Sequence, residues 1–194
     1  MSRARFNLNR ASVLLLDATP VGMDILVQIV TGLGAKTLAR CTTAAEAQAT
    51  ASRVELDLII ADAISPTGEG YDFVRWLRRE ATEPNRYCPL LLTSGHTPAS
   101  DVARARDCGA HFILKRPLTP MAVIERIIWI SREGRNFISC EAYVGPERRF
   151  QNMGPPSGKG RRRTDLPSTV GEHIQPNMTQ DDVNELLRPT KVVL

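Results

Sequence analysis

Five short apolar runs, each followed by a stretch of helical periodicity, constrain this chain more than any other feature. The first run, residues 13–16, ends in Asp17. Thr19 and Pro20 then supply an N-cap and a proline at the first helical position. The helix they open runs through Ile25, Leu26, Ile29 and Val30 and is stopped by Gly32 and Gly34. Residues 35–39 read as a second strand, followed by an alanine-rich helix over 43–53. A third, nearly all-apolar strand at 56–61 ends at Asp62. After the loop Ser65-Pro66-Thr67-Gly68, a helix at 71–80 places Phe73, Val74 and Leu77 on one face. The fourth strand, 89–92, runs into Thr93-Ser94-Gly95 and a polar helix at 99–107. A short fifth strand at 112–114 and a helix capped by Thr119-Pro120 and running to about Arg132 complete the series.

Strands that are apolar on both faces and separated by single helices predict an α/β fold, a doubly wound five-stranded parallel sheet with both faces covered. In such sheets ligand and catalytic groups collect beyond the carboxyl ends of the strands, near the switch point in strand order. Asp17, Asp62, Thr93 and the pair Lys115-Arg116 all fall at strand ends.

The chain has 194 residues and 42% hydrophobic content, enough for one domain with a real core and an extension. The reading divides it into an N-terminal arm (1–11), the α/β domain (12–132) and an extended, largely unstructured tail (133–194). The tail holds six of the 13 prolines and six of the 13 glycines and shows little periodicity. Within it the pattern admits a short helix at 179–187, capped by Thr179. Net charge is only +4, but residues 143–163 carry six basic side chains against the single acid Glu147. Local positive charge of that kind points to an anionic partner. Cys41, Cys88, Cys108 and Cys140 form no CxxC pair and read as reduced thiols of a cytosolic protein. Residues 1–10 are polar, unlike a signal peptide, and the most apolar helix, 121–130, is interrupted by Glu125 and Arg126, so neither secretion nor a membrane span is expected.

The segments VLLLD, DLIIADAISPTGEGYDFVRWLR, PLLLTSG and GAHFILKRPLTP, in that order, resemble a response-regulator receiver domain, the CheY-like, flavodoxin-like (βα)5 fold. The resemblance covers residues 12–132. It implies two-component signalling, with Asp62 as acceptor of a phosphoryl group from a histidine kinase. It further implies a weak Mg²⁺ site at Asp17 and Asp62, with Thr93 and Lys115 or Arg116 supporting the phosphoryl oxygens. Such chemistry is physically sound where a metal and a cation offset the charge on those oxygens.

Three positions depart from the family pattern. Ala18 stands where a second acid follows the first strand, and a gap-free match puts Arg116 at the family's lysine. The same match puts Ile113 at the switch aromatic. Arginine keeps the charge but presents a planar fork instead of a point ammonium. These departures shift the expected input away from phosphorylation.

The tail supplies another candidate. GPERRF at 145–150 and GKGRRR at 158–163 share the pattern G-x-x-R-R followed by a large residue, with Thr164-Asp165 after the second. Paired guanidinium groups bind phosphate bidentately, read the O6/N7 edge of guanine and stack on bases. A ligand with two phosphates and two purines suits two such arms. Behind a receiver, the arrangement resembles the arginine-rich region of CheY-like cyclic-di-GMP effectors. That resemblance implies nucleotide binding by Tyr143, Arg148, Arg149, Arg161, Arg162, Arg163 and Asp165. Signalling would then pass to a protein target on the receiver surface, in the flagellar motor, motility or development of a bacterium. The expectation is therefore a binding protein with no enzymatic activity of its own and, lacking a helix-turn-helix pattern, no DNA partner. Its alternative is a conventional single-domain response regulator phosphorylated on Asp62.

Overall fold

A computed structural model describes residues 7–63, 69–132 and 136–148. The strands β1 (Ser12–Leu16), β2 (Thr37–Cys41), β3 (Leu58–Asp62), β4 (Leu90–Ser94) and β5 (Phe112–Lys115) form one sheet in the order β2-β1-β3-β4-β5. Every neighbouring pair is parallel. The helices are α1 (Pro20–Gly32), α2 (Ala44–Ala51), α3 (Glu69–Arg79), α4 (Ala99–Cys108) and α5 (Pro120–Arg132). Contacts between α1 and α5, and the row α2–α3–α4, assign the helices to the two faces of a doubly wound sheet. All residues of β3 and β4 are buried, which is why those runs carry no polar alternation.

The five strands and five helices expected of the α/β domain are present, with shifted ends. The second strand lies at Thr37–Cys41 and not at 35–39, because Gly34, at φ +92, and Ala35 close the turn out of α1. The third and fourth strands run on to Asp62 and Ser94, one and two residues beyond their apolar runs. Ladder pairing, such as Asp62 beside Thr93, carries a strand into polar residues that hydropathy alone would exclude. The N-terminal arm is not wholly separate from the domain. Leu8 is buried in the core, and its amide donates to the Leu33 carbonyl at 2.9 Å. The loop 65–68 and the helix expected at 179–187 lie outside the described residues.

A larger correction concerns the start of the tail. Residues 136–148 are ordered against the receiver, where an extended chain had been expected. β6 (Phe137–Cys140) and β7 (Tyr143–Pro146) form an antiparallel hairpin seated on α3 and α4. Gly109, the left-handed C-cap of α4 at φ +99, lets the two backbones approach. A Cβ there would come within 2.7 Å of the Val144 carbonyl oxygen. Phe137 packs edge-on to Tyr87 at 5.0 Å between ring centroids and lies 5.1 Å from the Arg78 guanidinium.

Arg78 itself is 1% exposed. Its guanidinium donates to the carbonyls of Gly109 (2.9 Å), Arg86 (2.6 Å) and Cys88 (3.0 Å). Burial lowers its pKa to about 10, still leaving the group charged at neutral pH. The hairpin thus covers a buried cation held mainly by backbone carbonyls, a site invisible to hydropathy patterning.

Candidate functional site

The strand order reverses between β1 and β3, and the two acids of the sequence reading flank that point. Asp17 follows β1 and its side chain is fully buried; Asp62 ends β3 with its side chain 11% exposed. Thr93 lies beside Asp62 in the register of β3 and β4. The Arg116 amide donates to the Ser94 carbonyl at 2.8 Å, which fixes its backbone at the end of β4. From there one nitrogen, Nη2, reaches all three groups. It lies 2.5 Å from Asp17 Oδ2, 3.0 Å from Thr93 Oγ1 and 3.4 Å from Asp62 Oδ1.

An arginine Nη carries two hydrogens. Nη2 donates to Asp17 and Thr93, and Asp62 is held by charge at the longer distance. The structure therefore brings together Asp17, Asp62, Thr93 and Arg116 from the predicted set. Lys115, one residue earlier, ends β5 opposite Ser94 and is half-buried. Arg116, at the position matched to the family's lysine, pairs with both acids. Ile113 is buried in β5, an aliphatic contributor to the core.

The fold implies a divalent metal at this end of the sheet, and the residues present do not fit one. Asp17 Oδ1 accepts from the Thr19 amide (2.9 Å) and hydroxyl (2.7 Å), and Oδ2 accepts from Arg116. Gly22 packs so closely beneath this carboxylate that a Cβ would overlap Oδ2. Ala18 contributes no oxygen ligand from its side chain. Among the described residues no group of three His, Cys, Asp or Glu is placed to hold a metal ion. Glu69, which the sequence reading missed, lines the cleft with Asp17, Ala18, Thr42 and Asp62. Its position at the start of α3, after the loop that follows Asp62, was the available signal.

A second cluster lies at the other end of the sheet, where the hairpin meets α4. Tyr143 is buried and its hydroxyl donates to the Pro146 carbonyl at 2.6 Å. The Arg148 guanidinium sits 4.1 Å from the Tyr143 ring centroid and pairs with Asp107 Oδ1 at 2.8 Å. Asp107 was not foreseen; it looks like an ordinary polar residue of a polar helix until the hairpin folds onto it. Both charged side chains are over 40% exposed, so the pair positions Arg148 more than it stabilises the fold. Of the predicted nucleotide-binding residues, Tyr143 and Arg148 are brought together here. Arg149, Arg161, Arg162, Arg163 and Asp165 lie outside the described residues.

Comparison with known proteins bears on the first cluster. The response regulator receiver domain profile matches residues 13–128, more than half of the chain. The chain belongs to this family. Over 76 residues it is 30% identical to the phosphate regulon transcriptional regulatory protein PhoB of Klebsiella pneumoniae, matching 39% of this chain and 32% of that protein. The chain thus spans about a third of the length of that relative. Among solved structures it resembles the chemotaxis response regulator CheY4 of Vibrio cholerae, with a TM-score of 0.55 and 22% identity. That match covers 62% of this chain and 98% of the other. A two-component response regulator from Clostridium difficile gives a TM-score of 0.57 at 18% identity, covering 64% and 98%. These likenesses establish the CheY-like fold of the receiver. Among the described residues no helix is long and apolar enough to cross a membrane.

Proposed function

We propose that this receiver is a signal-binding module whose arginine-rich segment takes cyclic-di-GMP and whose receiver surface passes that state to a protein partner. The observation carrying the proposal is the seating of Tyr143 and Arg148 on α4. The first arginine of GPERR is held over an aromatic ring beside an acid, with its side chain 41% exposed to solvent. A guanidinium presented in this way can stack on a purine and bind a phosphate. Arg149 follows directly in the sequence, and the second cluster at 161–163 supplies the other arm. Arg116 and Ala18 alter the acid cluster and Ile113 replaces the switch aromatic, which favours an input other than phosphotransfer. The module has no catalytic step of its own in this reading.

Isothermal titration of the full chain with cyclic-di-GMP tests the proposal. Saturable binding that weakens at least about tenfold in Arg148→Ala and Arg162→Ala supports it, a factor worth ~1.4 kcal/mol. No detectable heat or competition with the intact chain removes it. Asp107→Asn releases Arg148 from its ion pair and is expected to tighten binding by a few-fold, given the ~0.2–1 kcal/mol typical of exposed pairs.

The second reading, phosphorylation of Asp62 by a histidine kinase, is favoured by one observation: Asp62 ends β3 directly beside Thr93. Labelling by a small phosphodonor with Mg²⁺ that disappears in Asp62→Asn would make it the leading one.

A further inference from the structure

The acid cluster departs from a metal site in more than its missing second carboxylate. Two acids face one another across the switch point, and burial of both would carry a large desolvation cost without a positive partner. Arg116 supplies that partner from the end of β5, and it does so through one nitrogen shared among β1, β3 and β4. We infer that Arg116 is the built-in cation of this receiver, taking over the charge-balancing role of a divalent ion and leaving the Asp17–Asp62 pair unresponsive to Mg²⁺.

Three features carry the inference independently of the family pattern. Asp17 has both oxygens engaged by groups of its own chain, on one side by the Thr19 amide and hydroxyl and on the other by Arg116. A cation entering would have to displace a charge-assisted bond at 2.5 Å, not a water. The Thr19 partners are part of the N-cap of α1, since the same hydroxyl accepts from the Gly22 amide at 3.2 Å. Reorienting Asp17 would therefore disturb a helix start as well as an ion pair. Finally, Thr93 Oγ1 accepts from the same Nη2, so Arg116 ties the hydroxyl and the carboxylate into one unit. Arg116 acts here as a positioning residue: it ties together three side chains at the ends of three strands.

Mn²⁺ serves as the probe, read by electron paramagnetic resonance of the free ion with the full chain. The intact chain is expected to leave the Mn²⁺ signal unattenuated through the millimolar range. The double variant Ala18→Asp with Arg116→Lys returns a second acid and removes the guanidinium fork. It is expected to bind one equivalent at least tenfold more tightly. One equivalent bound by the intact chain below millimolar concentration, and lost in Asp17→Asn, overturns the inference. So does a folded double variant that gains no binding.

Should the double variant fail to fold, thermal melting of the intact chain and of Asp17→Asn with and without millimolar Mg²⁺ decides between the outcomes. A melting temperature of the intact chain indifferent to Mg²⁺, with the same drop on Asp17→Asn in either buffer, upholds Arg116 as the cation. A saturable rise with Mg²⁺ that Asp17→Asn abolishes refutes it.

Discussion

Replacing Gly145 by alanine separates the hairpin from the receiver without touching the sheet. A Cβ at this position would lie 2.8 Å from Gly109 Cα and 2.5 Å from Tyr143 Oη. Non-bonded carbons rest near ~3.5 Å apart. Tyr143 could swing only by giving up its 2.6 Å bond to the Pro146 carbonyl, and Gly109 is backbone that cannot swing at all. The hairpin must therefore withdraw by roughly 0.7 Å, the difference between that resting distance and 2.8 Å. Overpacking of this size costs about 1–3 kcal/mol. Withdrawal also loosens the edge contact of Phe137 with Tyr87, worth ~0.5–1.5 kcal/mol. A two-stranded hairpin has little stability of its own, so the loss falls on local opening. A central figure of about 2 kcal/mol corresponds to a fall in amide protection of roughly 30-fold.

Hydrogen exchange of the full chain, read by mass spectrometry, checks this. Peptides covering 137–146 should lose protection by about that factor, while those covering β4 keep theirs, because the buried core cluster contains no hairpin residue. Unchanged protection in the hairpin would refute the close-approach argument. An equal loss in β4 would refute the claim that docking is a separate cooperative step.

Other substitutions test the remaining features. Arg78→Met leaves the carbonyls of Gly109, Arg86 and Cys88 without their buried donor, and should cost about 3 kcal/mol, a fall in melting temperature of roughly 10 °C; a small shift would show that the carbonyls find other partners. In the native chain at pH 8, a disulfide reagent should label exposed Cys140 rapidly and buried Cys41, Cys88 and Cys108 only on unfolding. Burial holds Cys88 at about 12 and Cys108 at about 11, above their ordinary value of 9.0. With folded-state values raised, the unfolded chain loses these protons first, so the stabilisation present below pH 9 is lost as pH rises through about 11–12. Equilibrium denaturation across that alkaline range should show a falling midpoint, less steep in Cys88→Ala.

The acid cluster was largely legible before the fold was known. Asp17, Asp62 and Thr93 each end an apolar run, and in a parallel sheet strand ends on one side share one edge. Arg116 could be matched to the family's lysine by counting. That its single Nη2 would span Asp17, Thr93 and Asp62 could not, because the reach of a side chain across four strands depends on their register. Glu69 was missed for a related reason: the length of loop before a helix does not reveal which way the helix turns back.

Apolar runs and helix caps, being properties of neighbouring residues, determined the five strands, the five helices and the carboxyl-end location of the acids. The tertiary structure alone decided that YVGP, paired locally with FISC, would seat on the receiver, since the groups that receive it there are not its neighbours. Gly109, Arg78 and Asp107 lie more than thirty residues from it in sequence, and none has a periodicity that advertises a partner. Glycine records only the space that another backbone needs, and a buried arginine satisfied by carbonyls looks, in sequence, like any solvated charge. Such contacts exist only once the receiver is folded, which is why the seating of Arg148 on α4 belongs to the structure and the basic motif around it to the sequence.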